Sequence, residues 1–600
     1  MLALFPVFLL LGLFLPGFFI AKYLRHSSWW ATALPISLVV LFHSIFWLAL
    51  FHVSITLWTV LPGLVLVSAL AAWLQRRSAL PAEKKEPTPR TAQDMSLILS
   101  SGFVGVVLFV HSAVSPLLGG DTLFRWDFLA QRMLALGRLD FYPPLSAADF
   151  RTYFFVDGIP PMVSFTYWWL YAAAGRHMPS LISIFVAAQF ACTLAFTYGT
   201  ASVVFSRRAG VLAAAILAAS PLLFRSLVLG QETGLTALAI AATIYFVVSV
   251  RDSNDVRAMV SAGLAAALCA LSREYGWIAV IAGVIALVWR RQPIKQVLIF
   301  AITATAAAAP WYLRNWILSG NPFYSLRFAS FTVNEIHDRL MHYYSASLAV
   351  QHWTINEWMN VVSVLLLLAT FQVLAGIPGG FKRFRTHGYL IVIAFLLIGV
   401  WIQSVGFTSG GAEGSMRVLS PALVLLSITA AGLLESLTRR GRWYTAIAVA
   451  IIASQFYTAA EGAVSPNSLS SLRPSQWLEN AFPRVPPAAE FQIRDKLVQL
   501  LPPGYRVLSD SAYLHAALID SGIEVVPVWS PEVRFLFTSP PEEAERQLRA
   551  LHIGSVVCYP QTMNMTFLTS ASPFYAALPE RWRPLAQVGD FLFVLAPKNP

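Results

Sequence analysis

Residues 95–114 read MSLILSSGFVGVVLFVHSAV, a run without a single Asp, Glu, Lys or Arg. At about 1.5 Å per residue, a helix of this length spans about 30 Å, the thickness of a bilayer's hydrocarbon core. Directly beyond it lie Gly119-Gly120-Asp121-Thr122-Leu123-Phe124-Arg125-Trp126-Asp127, where charge returns on a Gly-Gly turn. A carboxylate so close to the end of an apolar span is costly unless it is paired or functional. The run therefore fixes the solvent, and the acid beyond it marks where to look for chemistry.

Outward from this span, apolar runs of similar length recur. They are expected near Leu2–Ile20, Trp29–Phe51 and Thr56–Leu74, then Leu181–Phe205, Ala209–Phe224, Gly234–Val250, Val256–Leu271, Tyr275–Trp289 and Val297–Leu313. Four more follow near Met359–Ala375, Tyr389–Val405, Val418–Leu434 and Tyr444–Ala460. The expected fold is a polytopic α-helical membrane protein of about fourteen transmembrane helices. The 57% hydrophobic and 12% charged residues, with a mean hydropathy of +0.63, exclude an ordinary soluble domain.

The net charge of +12 does not indicate a nucleic-acid partner, because Lys and Arg cluster in short connectors. These are Arg76/Arg77 with Lys84, Lys85 and Arg90, then Arg207/Arg208, Arg251/Arg257, Arg290/Arg291/Lys295, Lys382/Arg383/Arg385 and Arg439/Arg440/Arg442. Basic loops remain cytoplasmic. This threading puts Pro81–Arg90 inside, both chain ends outside, and outer loops at 115–160 and 314–358. The first apolar run has no basic residue before it, and Lys22 and Arg25 follow it, so it reads as a retained span rather than a cleaved signal. The aromatic stretch Pro161–Ala174 is too short to cross and is expected to be interfacial or re-entrant. Cys192, Cys269 and Cys558 offer no disulfide framework or metal knuckle.

Three regions follow from this threading: a three-span extension with its linker (1–94), a transmembrane core (95–460) and a soluble extracytoplasmic α/β domain (461–600). In the last, Tyr505–Leu508, Ile523–Val528 and Ser555–Tyr559 read as buried strands. Ser511–Asp520 and Pro541–Leu551 read as helices, the second opened by a Ser539…Glu542 capping box, and Leu585–Leu595 reads as a closing hairpin about Gly589-Asp590. Its tail, Arg473–Pro600, is expected to fold alone and to carry no catalytic centre. Its His515 and His552 have no clustered partner.

Charges at the outer ends of spans are sparse, which makes each one informative. Besides Asp121, Arg125 and Asp127, the first outer loop carries Asp140, Asp149 and Asp157. The first two of these read as solvated surface acids. Asp157 stands before Gly158-Ile159-Pro160-Pro161, where it is either a turn acid or a functional one. Glu232 in Leu229-Gly230-Gln231-Glu232-Thr233, and the pair Arg273-Glu274 before Tyr275-Gly276, sit in very short outer turns. The most specific string is Ala309-Pro310-Trp311-Tyr312-Leu313-Arg314-Asn315-Trp316, ending Ser319-Gly320-Asn321-Pro322. There a proline is expected to break the span, and aromatics to hold Arg314 at headgroup depth.

These motifs resemble the GT-C superfamily of polyprenyl-phosphate-sugar-dependent glycosyltransferases, which includes protein O-mannosyltransferases and lipid A aminoarabinose transferases. The matching positions are Asp121 with Trp126 and Ala130, then Pro160-Pro161, then Pro310 to Pro322. Two features depart from the pattern: three spans precede the usual first one, and Asp121-Thr122 stands where the mannosyltransferase branch has Asp-Glu.

The resemblance implies transfer of a sugar from a lipid-phosphate-linked donor to an acceptor hydroxyl of protein, lipid or glycan, on the extracytoplasmic face of a membrane. The Ala- and Arg-rich spans suggest a bacterial inner membrane. Asp121 is the expected base, Asp127 and Asp157 supporting acids or ligands of a divalent cation, and Arg314, Arg273 and Arg125 phosphate-binding groups. Glu232, Glu274 and Asn315 are supporting residues. The rival reading is a transporter or flippase for lipid-linked sugars, against which stand the absence of a visible inverted repeat and the collection of charges at one face.

Overall fold

The computed structural model describes residues 2–598 apart from 25, 27, 78–90, 251–254, 325, 409, 439–441, 465–488, 502–503, 505 and 589–591. The expected cytoplasmic linker Pro81–Arg90, the Pro-rich stretch after Glu461 and the Gly589-Asp590 turn lie outside the described residues.

The chain is mostly helical. Among the described residues, ten helices are long and apolar enough to cross a membrane, or up to twelve if each of two bent pairs counts as one span. The expected total is reached only by adding the two shorter apolar helices Val256–Ala270 and Glu274–Trp289. Large apolar side chains face outward from the bundle, among them Leu66 (70% exposed) and Ile302 (64% exposed). An apolar exterior of this kind suits lipid as the solvent.

The breaks have local causes. In the expected Ala209–Phe224 span, Pro221 lacks an N–H and drives Ser220 out of the helical region. The helices Arg207–Ala218 and Pro221–Val228 consequently meet at 62°. A sharper bend of 96° separates Ile355–Leu368 from Gln372–Lys382, where a straight span was expected.

In the stretch Pro161–Ala174, expected to be interfacial or re-entrant, the helix Met162–Ala174 is buried along its whole length inside the protein. The expected break at Pro310 is corrected, because one helix runs from Ile294 to Ser319 and carries Arg314 and Asn315 within it. The proline forfeits one ladder bond, a loss that neighbouring elements offset in membrane helices.

The basic end of the bundle gathers residues assigned to inner loops. The Arg208 guanidinium lies 4.5 Å from the Tyr444 ring centroid, and the Tyr444 hydroxyl donates to Asp94.

The C-terminal domain is a five-stranded sheet in the order β2-β1-β3-β5-β4, with β1 Arg506–Ser509, β2 Glu524–Pro527, β3 Ile553–Cys558, β4 Trp582–Val588 and β5 Leu592–Pro597. Strands β1, β2 and β3 pair in parallel, and β3-β5 and β5-β4 antiparallel. Parallel strands covered on both faces explain the unbroken apolar runs at Val507–Leu508 and Val556–Val557. The helix Pro541–Ala550 forms without the expected capping box, since Pro540 occupies the cap position and no side chain bonds there.

The core of this domain is not self-contained. Phe150, Phe154 and Val156 of the first outer loop, with Ile336, Leu340 and Tyr344 of the second, are buried in the same apolar cluster as the sheet. Trp529 Nε1 donates to the Phe154 carbonyl at 2.8 Å. The apolar core of the tail is thus continuous with side chains of these two loops.

Candidate active site

The acidic motif forms a π-helical turn, Thr122–Asp127, leading into the helix Phe128–Leu136. Such a widened turn re-aims side chains that an α-helix would fan out, and it is common at functional sites. Gly119 and Gly120 are needed for close approach rather than for unusual dihedrals. A Cβ on Gly119 would lie 2.5 Å from Gln231 Nε2, and one on Gly120 2.1 Å from the Tyr513 hydroxyl.

The turn holds Asp121 between two arginines. Arg417 Nη2 donates to Asp121 Oδ2 at 2.6 Å, and Arg125 Nη1 lies 3.3 Å from Asp121 Oδ1. The Asp121 side chain keeps 22% of its surface exposed. Burial pushes its carboxyl upward, but Arg125, Arg417 and Arg273 together outweigh that and hold it below the usual carboxylate range. Asp121 is thus an ionised, partly accessible carboxylate among guanidiniums.

Arg125 is braced from behind. Its Nε donates to Asp157 Oδ2 at 2.6 Å, and its guanidinium lies 4.6 Å from the Phe155 ring centroid. Asp157 is almost fully buried and also accepts from the Tyr142 hydroxyl at 2.7 Å and the Tyr153 hydroxyl at 3.2 Å. A carboxylate so fully engaged positions Arg125 and has little capacity left for substrate.

A second layer comes from the turn before Glu232. The Thr122 hydroxyl donates to the Leu229 carbonyl and the Tyr167 hydroxyl to that of Gly230, docking this turn on the π-helical one. Gly230 has φ +62, so the bend needs a glycine. Arg273 faces the Glu232 carboxylate at 3.8 Å and Glu274 at 3.3 Å, with 24% of its side chain exposed. Arg273 Nη1 and Arg417 Nε donate to no described acceptor. Both atoms are buried, Arg273 Nη1 is the one that pairs with Glu232 Oε1, and Arg314 Nη1 is likewise buried without a hydrogen-bond partner among the described residues.

Of the residues singled out in the sequence, Asp121, Arg125, Asp157, Arg273, Glu232 and Glu274 converge. Asp127 lies on the same turn but faces elsewhere, accepting from the Tyr171 hydroxyl at 2.5 Å and from His177 Nε2 at 3.0 Å. Arg314 and Asn315 bond to the backbone of the loop. Arg314 Nη2 donates to the carbonyls of Tyr142 at 2.7 Å and Leu139 at 3.2 Å, and Asn315 Nδ2 and Trp311 Nε1 both donate to the Gly158 carbonyl. The string from Pro310 onward fastens the backbone of the loop that carries Tyr142 and Asp157. Its described partners are carbonyls, because the unbroken helix points Arg314 into the loop rather than into an open site.

Arg417 escaped the sequence reading. It follows the short helix Gly411–Ser415 at the entrance to the helix Ser420–Thr438, where a single Arg reads as a span flank. The available signal was its place at the acidic end of the bundle, where the positive-inside pattern leaves few arginines.

A model of the dolichyl-phosphate-mannose-protein mannosyltransferase family matches residues 159–313. No curated protein matches the sequence. Among solved structures, ArnT from Cupriavidus metallidurans in the apo state superposes with a TM-score of 0.53 at 14% identity, covering 84% of this chain and 98% of that one. The same protein bound to undecaprenyl phosphate gives 0.50 at 12% identity, over 84% and 98%. The Archaeoglobus fulgidus oligosaccharyltransferase tethered with an acceptor peptide gives 0.50 at 12% identity, over 83% of this chain and 74% of that one. The chain has the GT-C glycosyltransferase fold, and its 159–313 segment matches the dolichyl-phosphate-mannose-protein mannosyltransferase family.

Proposed function

We propose that this protein is a membrane glycosyltransferase that moves a sugar from a polyprenyl-phosphate-linked donor to an acceptor hydroxyl. The observation that carries the reading is Asp121, held ionised between Arg125 and Arg417 with Arg273 facing it. The family match and the undecaprenyl phosphate bound by the similar ArnT support a lipid-phosphate carrier.

The chemistry needs one base and an anion site. The acceptor oxygen bonds to the anomeric carbon as the bond from that carbon to the phosphate oxygen breaks. The electron pair leaves with the lipid phosphate, and the acceptor proton passes to Asp121. A phosphate leaving group requires no general acid, unlike the two-carboxylate arrangement of most glycosidases. Charge accumulates on the departing phosphate, where the partly exposed guanidiniums of Arg273 and Arg417 stabilise it. Arg125, fixed by Asp157, keeps Asp121 in position.

In this reading the site opens on the extracytoplasmic face of a bacterial inner membrane, the tail beyond Glu461 lies on that side, and the regions 1–94, 95–460 and 461–600 are extension, core and outer domain. The inner-loop residues Asp94, Arg208 and Tyr444 gather apart from the acidic cluster, which supports this threading.

Asp121→Asn keeps the side-chain shape and removes the base. Purified Asp121→Asn protein is expected to bind a polyprenyl phosphate yet lose transfer, and transfer at the wild-type rate would eliminate Asp121 as the base. An impermeant thiol reagent on spheroplasts is expected to label a cysteine introduced in the tail, and labelling only after lysis would reverse the orientation.

A further inference from the structure

Tyr513, on the helix Ala512–Leu518 of the C-terminal domain, touches the acidic turn on both sides of Asp121. Its ring packs edge-on against Phe124, ring centroids 5.3 Å apart, and its hydroxyl lies against Gly120. Burial, then the Asp121 carboxylate, push the Tyr513 phenol up to about 12, so the two side chains are within electrostatic reach of each other.

The fit at Gly120 is specific to this contact. Gly120 and Asp121 are helical and lead into the π-helical turn Thr122–Asp127, and Gly120 has no positive φ. Its backbone therefore does not require glycine, and Ala would favour the helix. What excludes a methyl group is Tyr513: a Cβ would lie 2.1 Å from its hydroxyl and 3.3 Å from its Cζ, with the next atom, Phe124 Cε1, at 3.8 Å. The bare backbone at 120 is a socket for a side chain of the outer domain. Gly119 differs, because a Cβ there would meet Gln231 and Thr122 instead.

The helix that presents the phenol is itself well fixed. Ser511 caps it, accepting from the Leu514 N–H and donating to Glu490 at 2.8 Å. His515 Nε2 donates to the Arg151 carbonyl at 3.2 Å, and its ring lies 5.0 Å from that of Phe128 and 5.5 Å from that of Phe154. The turn it meets has less support of its own, since two glycines lead into it and a π-helical turn is rare outside functional sites. Thr122, Arg125 and Asp127 are tied to Leu229, Asp157 and Tyr171, whereas Phe124 packs between the rings of Phe155 and Tyr513. Asp121 stands between the two points that Tyr513 touches.

We propose that Tyr513 is a positioning residue: by seating this side chain between Gly120 and Phe124, the C-terminal domain sets the place of Asp121 and, through their hydrogen bond, of Arg417. The proposal rests on Asp121 and Arg417 acting in the transfer described above, and it adds that the outer domain is part of the working site.

The test uses the full-length protein in detergent, read by amide hydrogen exchange, melting temperature and titration with undecaprenyl phosphate. Tyr513→Ala is expected to speed exchange in the turn Thr122–Asp127 about two- to tenfold, the shift in local opening from one lost aromatic pair. Exchange in β1 and β2 should be unchanged, and undecaprenyl phosphate binding should weaken by about the same factor as the turn loosens. Tyr513→Phe keeps the ring on Phe124 and is expected to restore both readings to near the wild-type values. Gly120→Ala is expected to lower the melting temperature and weaken binding, and adding Tyr513→Phe should recover most of both by removing the clashing hydroxyl. The same addition should leave Gly119→Ala as it was, because that clash lies elsewhere. Unchanged exchange in the turn of Tyr513→Ala, or a Gly120→Ala defect that Tyr513→Phe does not relieve, overturns the positioning role. The second comparison stands even if Tyr513→Ala folds poorly. Absence of undecaprenyl phosphate binding by wild type instead counts against the transferase reading, while exchange and melting still decide the contact, so the two failures are distinguishable.

Discussion

Arg417 and Asp121, 296 residues apart in the chain, meet through a hydrogen bond of 2.6 Å. The pair joins the entrance of a late helix to the acidic turn Thr122–Asp127. The carboxylate is both oriented and kept ionised by the contact. If Arg417 also receives the departing phosphate, Arg417→Ala is expected to lower transfer about 10²-fold or more, by analogy with lost oxyanion donors. Arg417→Lys should recover part of that loss, since it restores charge without the planar fork. Because the two residues act together, Asp121→Asn combined with Arg417→Ala is expected to cost little more than the worse single change. Single-turnover rates of the four proteins check this, and additive losses would separate the pair.

The pH dependence follows from the sign of the shift on Asp121. Burial raises its pKa, and the guanidiniums of Arg125, Arg417 and Arg273 lower it by more. A carboxylate with a depressed folded pKa contributes stability above its unfolded pKa and loses that contribution as pH falls through the folded value. The base form is present over the same range. Turnover is therefore expected to show no acidic limb from Asp121 between about pH 5 and 8, since an ordinary Asp titrates near 3.9. In Arg417→Ala one lowering charge is gone, so the acidic limb should move up in pH. Rates measured across pH in both proteins test this, and a limb that does not move would uncouple Arg417 from the titration.

Much of this site was legible because charge is scarce at the outer ends of membrane spans. Asp121, Arg125 and Arg273 stood out for that reason and do converge. The pairing of Arg125 with Asp157 was not legible, because a turn acid and a functional acid look alike in sequence. Tyr142 and Tyr153, which complete that pairing, pass for interfacial anchors. Tyr513, which packs on Phe124, carried no local signal, since that contact depends on how the C-terminal domain docks. In the fold, the bend at Ser220-Pro221 follows from proline chemistry, whereas the straight passage through Pro310 does not. There, tertiary bonds made by Arg314 and Asn315 exist only if the helix continues, and they override the local preference for a break.

Gly276 sets the turn that delivers Arg273. A Cβ at this position would lie 1.9 Å from the Cys269 carbonyl oxygen, a backbone atom of the preceding helix that has no free rotamer to yield. Gly276→Ala is therefore expected to lower the melting temperature and to displace Arg273, weakening polyprenyl phosphate binding more than Gly102→Ala, where a Cβ meets nothing within 4 Å. Thermal unfolding and undecaprenyl phosphate titration of the two variants make the comparison. Equal behaviour would show that the turn absorbs the methyl without moving Arg273.

Arg314 separates a structural role from a phosphate-binding one. Its guanidinium is buried and donates to the carbonyls of Tyr142 and Leu139, in the loop whose Tyr142 in turn holds Asp157. Removing it takes away two hydrogen bonds from a charged group, each contributing about 1.5–3 kcal/mol, although the Leu139 carbonyl still accepts from the Tyr142 N–H at 3.3 Å. Arg314→Ala is therefore expected to melt at clearly lower temperature and to purify in lower yield, with turnover per folded molecule falling less than about tenfold. Arg314→Lys keeps the charge but cannot bridge two carbonyls with one planar group, so it should recover little of the stability. Arg273→Ala is expected to impair polyprenyl phosphate binding more than Arg314→Ala does, because Arg273 keeps 24% of its side chain exposed and its charge acts on Asp121. Melting curves, donor titrations and single-turnover rates on monodisperse samples of all three variants decide the matter. Normal melting of Arg314→Ala with a turnover loss of about 10²-fold, the size seen for lost oxyanion donors, would return Arg314 to the phosphate.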